Sequence, residues 1–313
     1  AIGDSAFKSG TTSNNNVAIG FGSLDADTTG FHNTAVGTNT LGANTTGSNH
    51  VAVGYNALND NTTADGNTAL GHNAMAVNTT GTQNVAVGYN SLDANTTASY
   101  NTAMGHAALS ACTTGAGNTA VGQISQDDIT TGAQNTAIGA GSGHALTTGS
   151  ANTSLGYLAN STNTTGNHNI CIGLNAQPST ITVSAQCTLG DANITNLRCN
   201  DTSISALSDS RDKTDVIDSP YGLDLINTVR PVQFKWETRD GNGKDGSTRV
   251  GFLAQELLAA TDGNNAVLDL VLDDNPEKLE AKYGNLVPIM AQAIKELSAK
   301  NDALEARLST LEG

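Results

Sequence analysis

Glycine stands at 3, 20, 37, 54, 71, 88, 105, 122, 139, 156, 173 and 190, twelve times at an unbroken spacing of 17. An apolar residue precedes each one, from Ile2, Ile19, Val36 and Val53 to Leu155, Ile172 and Leu189. Ala comes one place earlier in nine successive copies, Ala1 to Ala137, followed by Ser154, Cys171 and Thr188. Asn opens most copies, and Thr-Thr pairs begin at ten positions between 11 and 164. A period that never slips requires every unit to superpose on the next, as the coils of a solenoid do.

Seventeen residues are too few for a helical repeat, and Asn, Thr and Gly are poor helix formers. Asn-Thr-Ala-Val-Gly has strand alternation, and Asn-Thr-Thr-Gly reads as a turn next to a second short strand. Coils stacked in parallel at about 4.8 Å make a rod of roughly 55 Å, with identical Asn and Thr side chains laddered above one another. The expected inward set is small: Ala, the aliphatic before each glycine, and a Leu in several coils (Leu24, Leu41, Leu58, Leu92, Leu109). That is little apolar surface against a backbone ordering cost of about 1–2 kcal/mol per residue. Packing between identical chains relieves the shortfall, and a homotrimer is the natural symmetry for a rod.

Val17-Ala18-Ile19-Gly20 and Asn84-Val85-Ala86-Val87-Gly88 resemble the signature of trimeric autotransporter adhesin heads and of similar repeats in phage fibres. The resemblance covers about 1–173 and implies a trimeric parallel β-roll.

The formal net charge of −15 is unevenly carried. Residues 1–190 contain one basic residue, Lys8, and eight Asp, whereas 191–313 contain 13 basic and 21 acidic residues, all the Glu and the one Trp. Two segments of different character are joined, with 191–207 as the connector. No run of about 18 apolar residues exists, so no membrane insertion is expected. The negative charge argues against a nucleic-acid partner. The chain opens inside a repeat and is expected to be part of something longer.

Within the repeat, the position after the glycine carries a ring in six copies, Phe21, Tyr55, His72, Tyr89, His106 and Tyr157, and Asp4, Thr38, Gln123, Ala140 or Leu174 in others. This candidate surface ladder reads as a corner stack filling space between chains, with a sugar-stacking stripe for a host-surface glycan as the alternative. His72 and His106 are two coils apart, roughly 10 Å, too far to share a metal, and no metal or cofactor is expected. Ice binding by the Thr columns is the weaker of two readings; local hydrogen bonding is the other. Calcium-binding nonapeptide repeats are excluded by the absence of their glycine and aspartate pattern. Asp25, Asp60, Asp93 and Asp127 have no Glu partners, so glycoside hydrolysis lacks its second acid. Cys112 reads as a loop substitution, Cys171 and Cys187 as column substitutions and Cys199 as lying beyond the last coil. The reading is buried thiols without disulfides.

After the repeat comes Leu207-Ser208-Asp209-Ser210-Arg211-Asp212-Lys213. A Ser–Lys dyad needs a lysine kept neutral by partial burial, which spacing alone does not reveal. Further on stand Arg230-Pro231-Val232-Gln233-Phe234-Lys235-Trp236, Val250-Gly251-Phe252-Leu253-Ala254-Gln255-Glu256-Leu257, and Tyr283-Gly284-Asn285-Leu286-Val287-Pro288-Ile289-Met290. Together with Ser208-Asp209-x-Arg211-x-Lys213 these resemble the C-terminal intramolecular chaperone and auto-processing domain of phage endosialidases, tail spikes and tail fibres. The resemblance covers nearly all of 208–313. It implies a small α+β domain that trimerises, guides folding of the upstream β-structure, and cuts itself off. Carried over, Ser208 is the nucleophile, Lys213 its base, Ser208–Asp209 the scissile bond, and Asp209 and Arg211 supports of the loop. The alternative leaves the loop as an uncut linker.

Independently, Val287, Met290, Ile294, Leu297, Asn301, Leu304, Leu308 and Leu311 follow spacings of three and four, a heptad seam on a helix over about 286–312. The resulting expectation is a mainly β protein: a 17-residue-coil solenoid over 1–190, then a chaperone domain ending in a coiled coil. Its setting is a virion tail fibre or spike, with the chaperone lost on cleavage and no external substrate. The alternative is a surface adhesin or a glycan- or ice-binding solenoid without self-cleavage.

Overall fold

The computed structural model describes residues 1–194, 197–198, 208–235 and 246–312. Cys199, Leu207, Trp236 and most of the 191–207 connector lie outside the described residues. The chain divides into two compact units, Ala1–Asp191 and Ala192–Gly313.

The first unit is a parallel β-solenoid. Its strands are Val17–Ile19 (β1), Thr34–Val36 (β2), Val51–Val53 (β3), Thr68–Leu70 (β4), Val85–Val87 (β5), Thr102–Met104 (β6), Thr119–Val121 (β7), Thr136–Ile138 (β8), Thr153–Leu155 (β9), Ile170–Ile172 (β10) and Cys187–Leu189 (β11). They form one sheet in sequence order, each residue paired with the one 17 places on, such as Ala52 with Ala69. Each coil contributes one three-residue strand; the expected second strand is not formed. In its place the Thr-Thr turns stack directly, Thr45 donating both its N–H and its Oγ1 hydroxyl to the Thr62 carbonyl at 2.9 Å.

The glycine column explains the period. Gly88 has φ +136°, and a Cβ there would lie 2.4 Å from the Gly105 carbonyl oxygen of the next coil. The backbones approach so closely that no side chain fits between them.

The inward residues differ from expectation. Ala at the strand centre is buried, and the aliphatic before each glycine faces out, half-buried or exposed. The larger core residues come from the turn: Leu24, Leu41, Leu58, Met75, Leu92 and Leu109 are fully buried. A coil this narrow has room for a methyl group on the strand and for a larger side chain only at the corner. All six adopt positive φ, from 51° to 54°, a conformation that costs an L residue about 1–2 kcal/mol. Full burial contributes about 1.5–3 kcal/mol for each, enough to offset it.

Two buried Asn ladders hold the coils in register. The Asn opening each motif accepts from the backbone of the next coil and donates back to a carbonyl; Asn67, for example, accepts from Asn84 N–H at 2.9 Å and donates to the Gly81 carbonyl at 2.8 Å. His50 takes one place in this ladder and makes both bonds with its ring, Nδ1 accepting from Asn67 N–H and Nε2 meeting the Ala64 carbonyl. The second ladder, Asp27–Asn44–Asn61–Asn78–Asn95, links side chain to side chain, with Asn61 donating to Asn44 Oδ1 at 2.8 Å. Cys112 takes the next place in this column: it replaces the Asn of the connecting segment, as expected, and is fully buried with its thiol donating to the Gly115 carbonyl. Cys171 is buried as expected, whereas Cys187 is exposed, because it stands at an outward strand position.

The second unit is α+β. Helix α1 (Leu223–Thr228) is followed by the antiparallel pair β12 (Val232–Lys235) and β13 (Thr248–Gly251). Helices α2 (Ala254–Ala260) and α3 (Asn265–Leu268), the pair β14 (Val271–Leu272) and β15 (Glu280–Ala281), and the long helix α4 (Leu286–Glu312) complete it. Leu257, Leu268, Leu270, Val271, Leu286 and Ile289 form its core. Helix α4 turns Leu286, Ile289 and Ala293 into that core, and its Glu296 carboxylate accepts from Leu223 N–H at the start of α1. The heptad residues lie elsewhere on the helix: Val287, Met290, Ile294, Leu297, Leu304, Leu308 and Leu311 are all exposed, Leu311 by 83%. Asn301 spends its amide on Glu305 of the same helix.

Candidate self-cleavage site

Residues Ser210–Asp212 form a single 3-10 turn, with extended residues on either side. Asp209 caps it, its carboxylate accepting from Arg211 N–H at 2.9 Å and from the Arg211 guanidinium Nε at 3.0 and 3.1 Å and Nη2 at 2.5 Å. The Arg211 guanidinium holds the Asp209 carboxyl below the usual carboxylate range. The turn folds the chain back on itself, so that Lys213 Nζ donates to Ser208 Oγ at 2.6 Å. Spacing alone did not reveal this contact; a capped turn between the two residues produces it. Ser208 and Lys213 are both exposed in the single chain.

The ring column forms a continuous stack over four coils. Tyr55, His72, Tyr89 and His106 lie with centroids 5.1, 5.1 and 5.4 Å apart and ring planes within 26°, 21° and 9° of parallel. Phe21 and Tyr157 are exposed and stand apart from the stack, because Thr38, Gln123 and Ala140 occupy the intervening places. Neighbouring rings cover the interior faces of the stack, so a sugar approaching it from the side meets ring edges.

Sequence reasoning missed one cluster: Asp127, Asp128 and His144 bring three donor atoms within 4.8 Å of one another, close enough to hold a cation. Its signal was present, since His144 stands one period beyond Asp127, whose carboxylate its Nδ1 meets. That hydrogen bond raises the His144 pKa. Burial pushes the Cys112 and Cys171 thiols up to about 11, which keeps both protonated and unreactive.

Residues 208–268 match the family model described as chaperone of endosialidase. Residues 208–268 are similar to the chaperone of endosialidase. Ser208 is the first residue of the match, which extends through β12, β13, α2 and α3, and α4 follows it. No curated protein matches the chain, and no solved structure does. The chain thus joins a β-solenoid of 17-residue coils to an intramolecular chaperone domain, and among the described residues no helix is long and apolar enough to cross a membrane.

Proposed function

We propose that the chain is a segment of a trimeric phage tail fibre or spike. Its chaperone domain trimerises through α4, folds the solenoid shaft, and is then released by cleavage beside Ser208. The Lys213–Ser208 contact at the first residue of the family match carries this reading. The exposed heptad positions on α4 support trimerisation, since such a seam is buried only against other helices. The shaft's role is attachment at a host surface, read out by glycan-array binding of the released trimer.

In the resting contact the lysine donates to the hydroxyl, so Lys213 must lose a proton before it can act as base. Lysine serves as a base where it is desolvated. Both partners are exposed in one chain, so the desolvation comes from neighbouring chains in the trimer, which makes cleavage follow assembly. Neutral Lys213 then takes the Oγ proton as Oγ attacks a carbonyl carbon. The C–N bond breaks, the proton passes to the leaving nitrogen, and water opens the ester to a carboxylate and the restored hydroxyl.

Ring size bears on which bond is cut. An N-to-O shift within one chain closes a five-membered ring and opens the bond preceding Ser208. Attack by Ser208 on its own carbonyl closes a strained four-membered lactone, so a cut at Ser208–Asp209 calls for the serine of a second chain. Intact-mass analysis of the parent beside Ser208→Ala and Lys213→Ala tests the reading. The parent alone is expected to be cut, and the mass of the larger fragment tells whether it ends before or after Ser208. An uncut parent, or cutting that persists in both variants, overturns the dyad.

A further inference from the structure

Inside the solenoid, one corner departs from the pattern of the others. The position filled by Leu24, Leu41, Leu58, Met75, Leu92 and Leu109 carries Gln126, Gly143 and Asn160 in the next three coils. Over the same stretch the interior column of Asp27 and Asn44 to Asn95 turns apolar, with Cys112, Ile129 and Leu146, before returning to Asn163. Amide and aliphatic therefore exchange places within coils of the same length. Gly143 makes room for the exchange. A Cβ there would lie 3.2 Å from Gln126 Cγ of the preceding coil and 3.3 Å from Leu146 Cδ1 of its own, so these two side chains use the space a leucine takes elsewhere.

The exchange leaves polar atoms inside. Among the described residues, nine buried side-chain nitrogen and oxygen atoms have no hydrogen-bond partner, and five of the nine belong to Gln126, Ser154 and Asn160: both ends of each amide and the serine hydroxyl. None of the three residues is more than 1% exposed. They flank Gly143, with Gln126 one coil before it and Ser154 and Asn160 one coil after. Ser154 pairs with Ala137, whose Cβ is 3.7 Å from the Cβ position of Gly143. Coil spacing explains why the three do not meet directly. Gln126 leans into the Gly143 corner, which puts its amide about one spacing of 4.8 Å from the Asn160 corner. A direct hydrogen bond spans about 2.9 Å, whereas two such bonds meeting at a shared water span roughly 4.6 Å.

We infer that this corner is a buried water site, in which water beside Gly143 is hydrogen-bonded to the Gln126 and Asn160 amides and to the Ser154 hydroxyl. The chemistry of the set selects water over an ion. Each amide presents an NH2 group beside its carbonyl, and the hydroxyl both donates and accepts. An ion pairs with only one end of each amide, and none of the three side chains carries a charge to offset the ion's desolvation. Water both donates and accepts, and internal waters typically make about three hydrogen bonds to buried groups that lack other partners. One chain supplies the whole site, so it requires neither cleavage nor assembly.

Counting internal waters tests it. Oxygen-17 magnetic relaxation dispersion of the solvent reports waters held inside a protein, with an amplitude that scales with their number. The full chain is compared with Gln126→Met/Asn160→Leu, which keeps the side-chain bulk and uses residues found elsewhere in the same column. Met75→Leu, an apolar exchange in that column away from the site, is the control, and circular dichroism checks the fold of each. The expected amplitude per chain falls by at least one water in the double variant and is unchanged in Met75→Leu; waters trapped elsewhere in the shaft cancel in the difference. Equal amplitudes in parent and double variant, or an equal fall in the control, overturn the site. Should the double variant not fold, a crystal structure of the parent decides. Solvent density within hydrogen-bond distance of both amides supports the site, and amides bonded to each other or to backbone with no density between them overturn it.

Discussion

Gly88→Ala isolates the interaction that sets the 17-residue period. At φ +136° an L side chain enters a region almost reserved for glycine, at a cost of about 1–3 kcal/mol. The new methyl carbon would lie 2.4 Å from the Gly105 carbonyl oxygen and 2.7 Å from its carbon, and both are backbone, so the coils must part. Parting loosens the two bonds that flank Gly88 across that junction, Gly105 N–H to Val87 O, at 2.8 Å, and Ala107 N–H to Tyr89 O, at 2.9 Å. Each is worth about 1 kcal/mol, which brings the expected loss to about 3–5 kcal/mol. Gly66→Ala is the matched control. Its φ of +73° is left-handed, but the nearest atom to the new carbon is Gln83 Cγ at 3.5 Å, so only the conformational cost of about 1–2 kcal/mol applies. Denaturant midpoints of both variants, read by circular dichroism at one fixed protein concentration, measure the difference. Equal midpoints would refute the claim that backbone proximity between coils dictates the glycine column.

His50 supplies a pH signature. Burial holds its imidazole below the ordinary 6.5, against the opposing pull of its bonds to Ala64 and Asn67 and of the Asp65 charge. A depressed histidine contributes stability that is full above pH 6.5 and is lost as pH falls below it. His50→Asn restores the ladder residue used in other coils and should flatten that loss, measured as the difference in denaturant midpoint between variant and parent from pH 7 to pH 5. His144, whose raised pKa gives the opposite sign, is common to both proteins and cancels in the difference. Ile124 carries a β-branched side chain at φ 48°, in the column where Asn39, Asn56, Asn73 and Asn90 stand. Ile124→Asn should raise stability by about 1 kcal/mol, and a lower thermal midpoint would contradict the strain assigned to it.

The period was legible in the sequence because glycine at a backbone contact has no substitute, so it survives every change around it. Which side of the strand faces inward was not legible. Period-two alternation tells only that the two faces differ, and the expected inward set took in both Ala and the aliphatic beside it, which stand on opposite faces. The answer depended on the width of the coil, which comes from how tightly Gly20 to Gly173 bring successive backbones together and from corner Leu residues filling the middle. Asn ladders were expected from superposed coils, but their place in the interior was hidden for a related reason. Asn44, Asn61, Asn78 and Asn95 precede Thr-Thr in what composition reads as a polar loop, yet each NH2 group donates to the side chain one coil back and to a carbonyl three residues on; the Asn95 oxygen, with Cys112 next in the column, is left without a partner. Burial of a polar side chain is a property of its partners, and these partners are the same residue one coil away. At the candidate site the motif was readable from Ser208, Asp209, Arg211 and Lys213, but the contact depends on a capped turn that no spacing rule encodes. Small residues fill the interior, and the larger apolar side chains stand outside at the third strand position of every coil, because the coil is too narrow to take them.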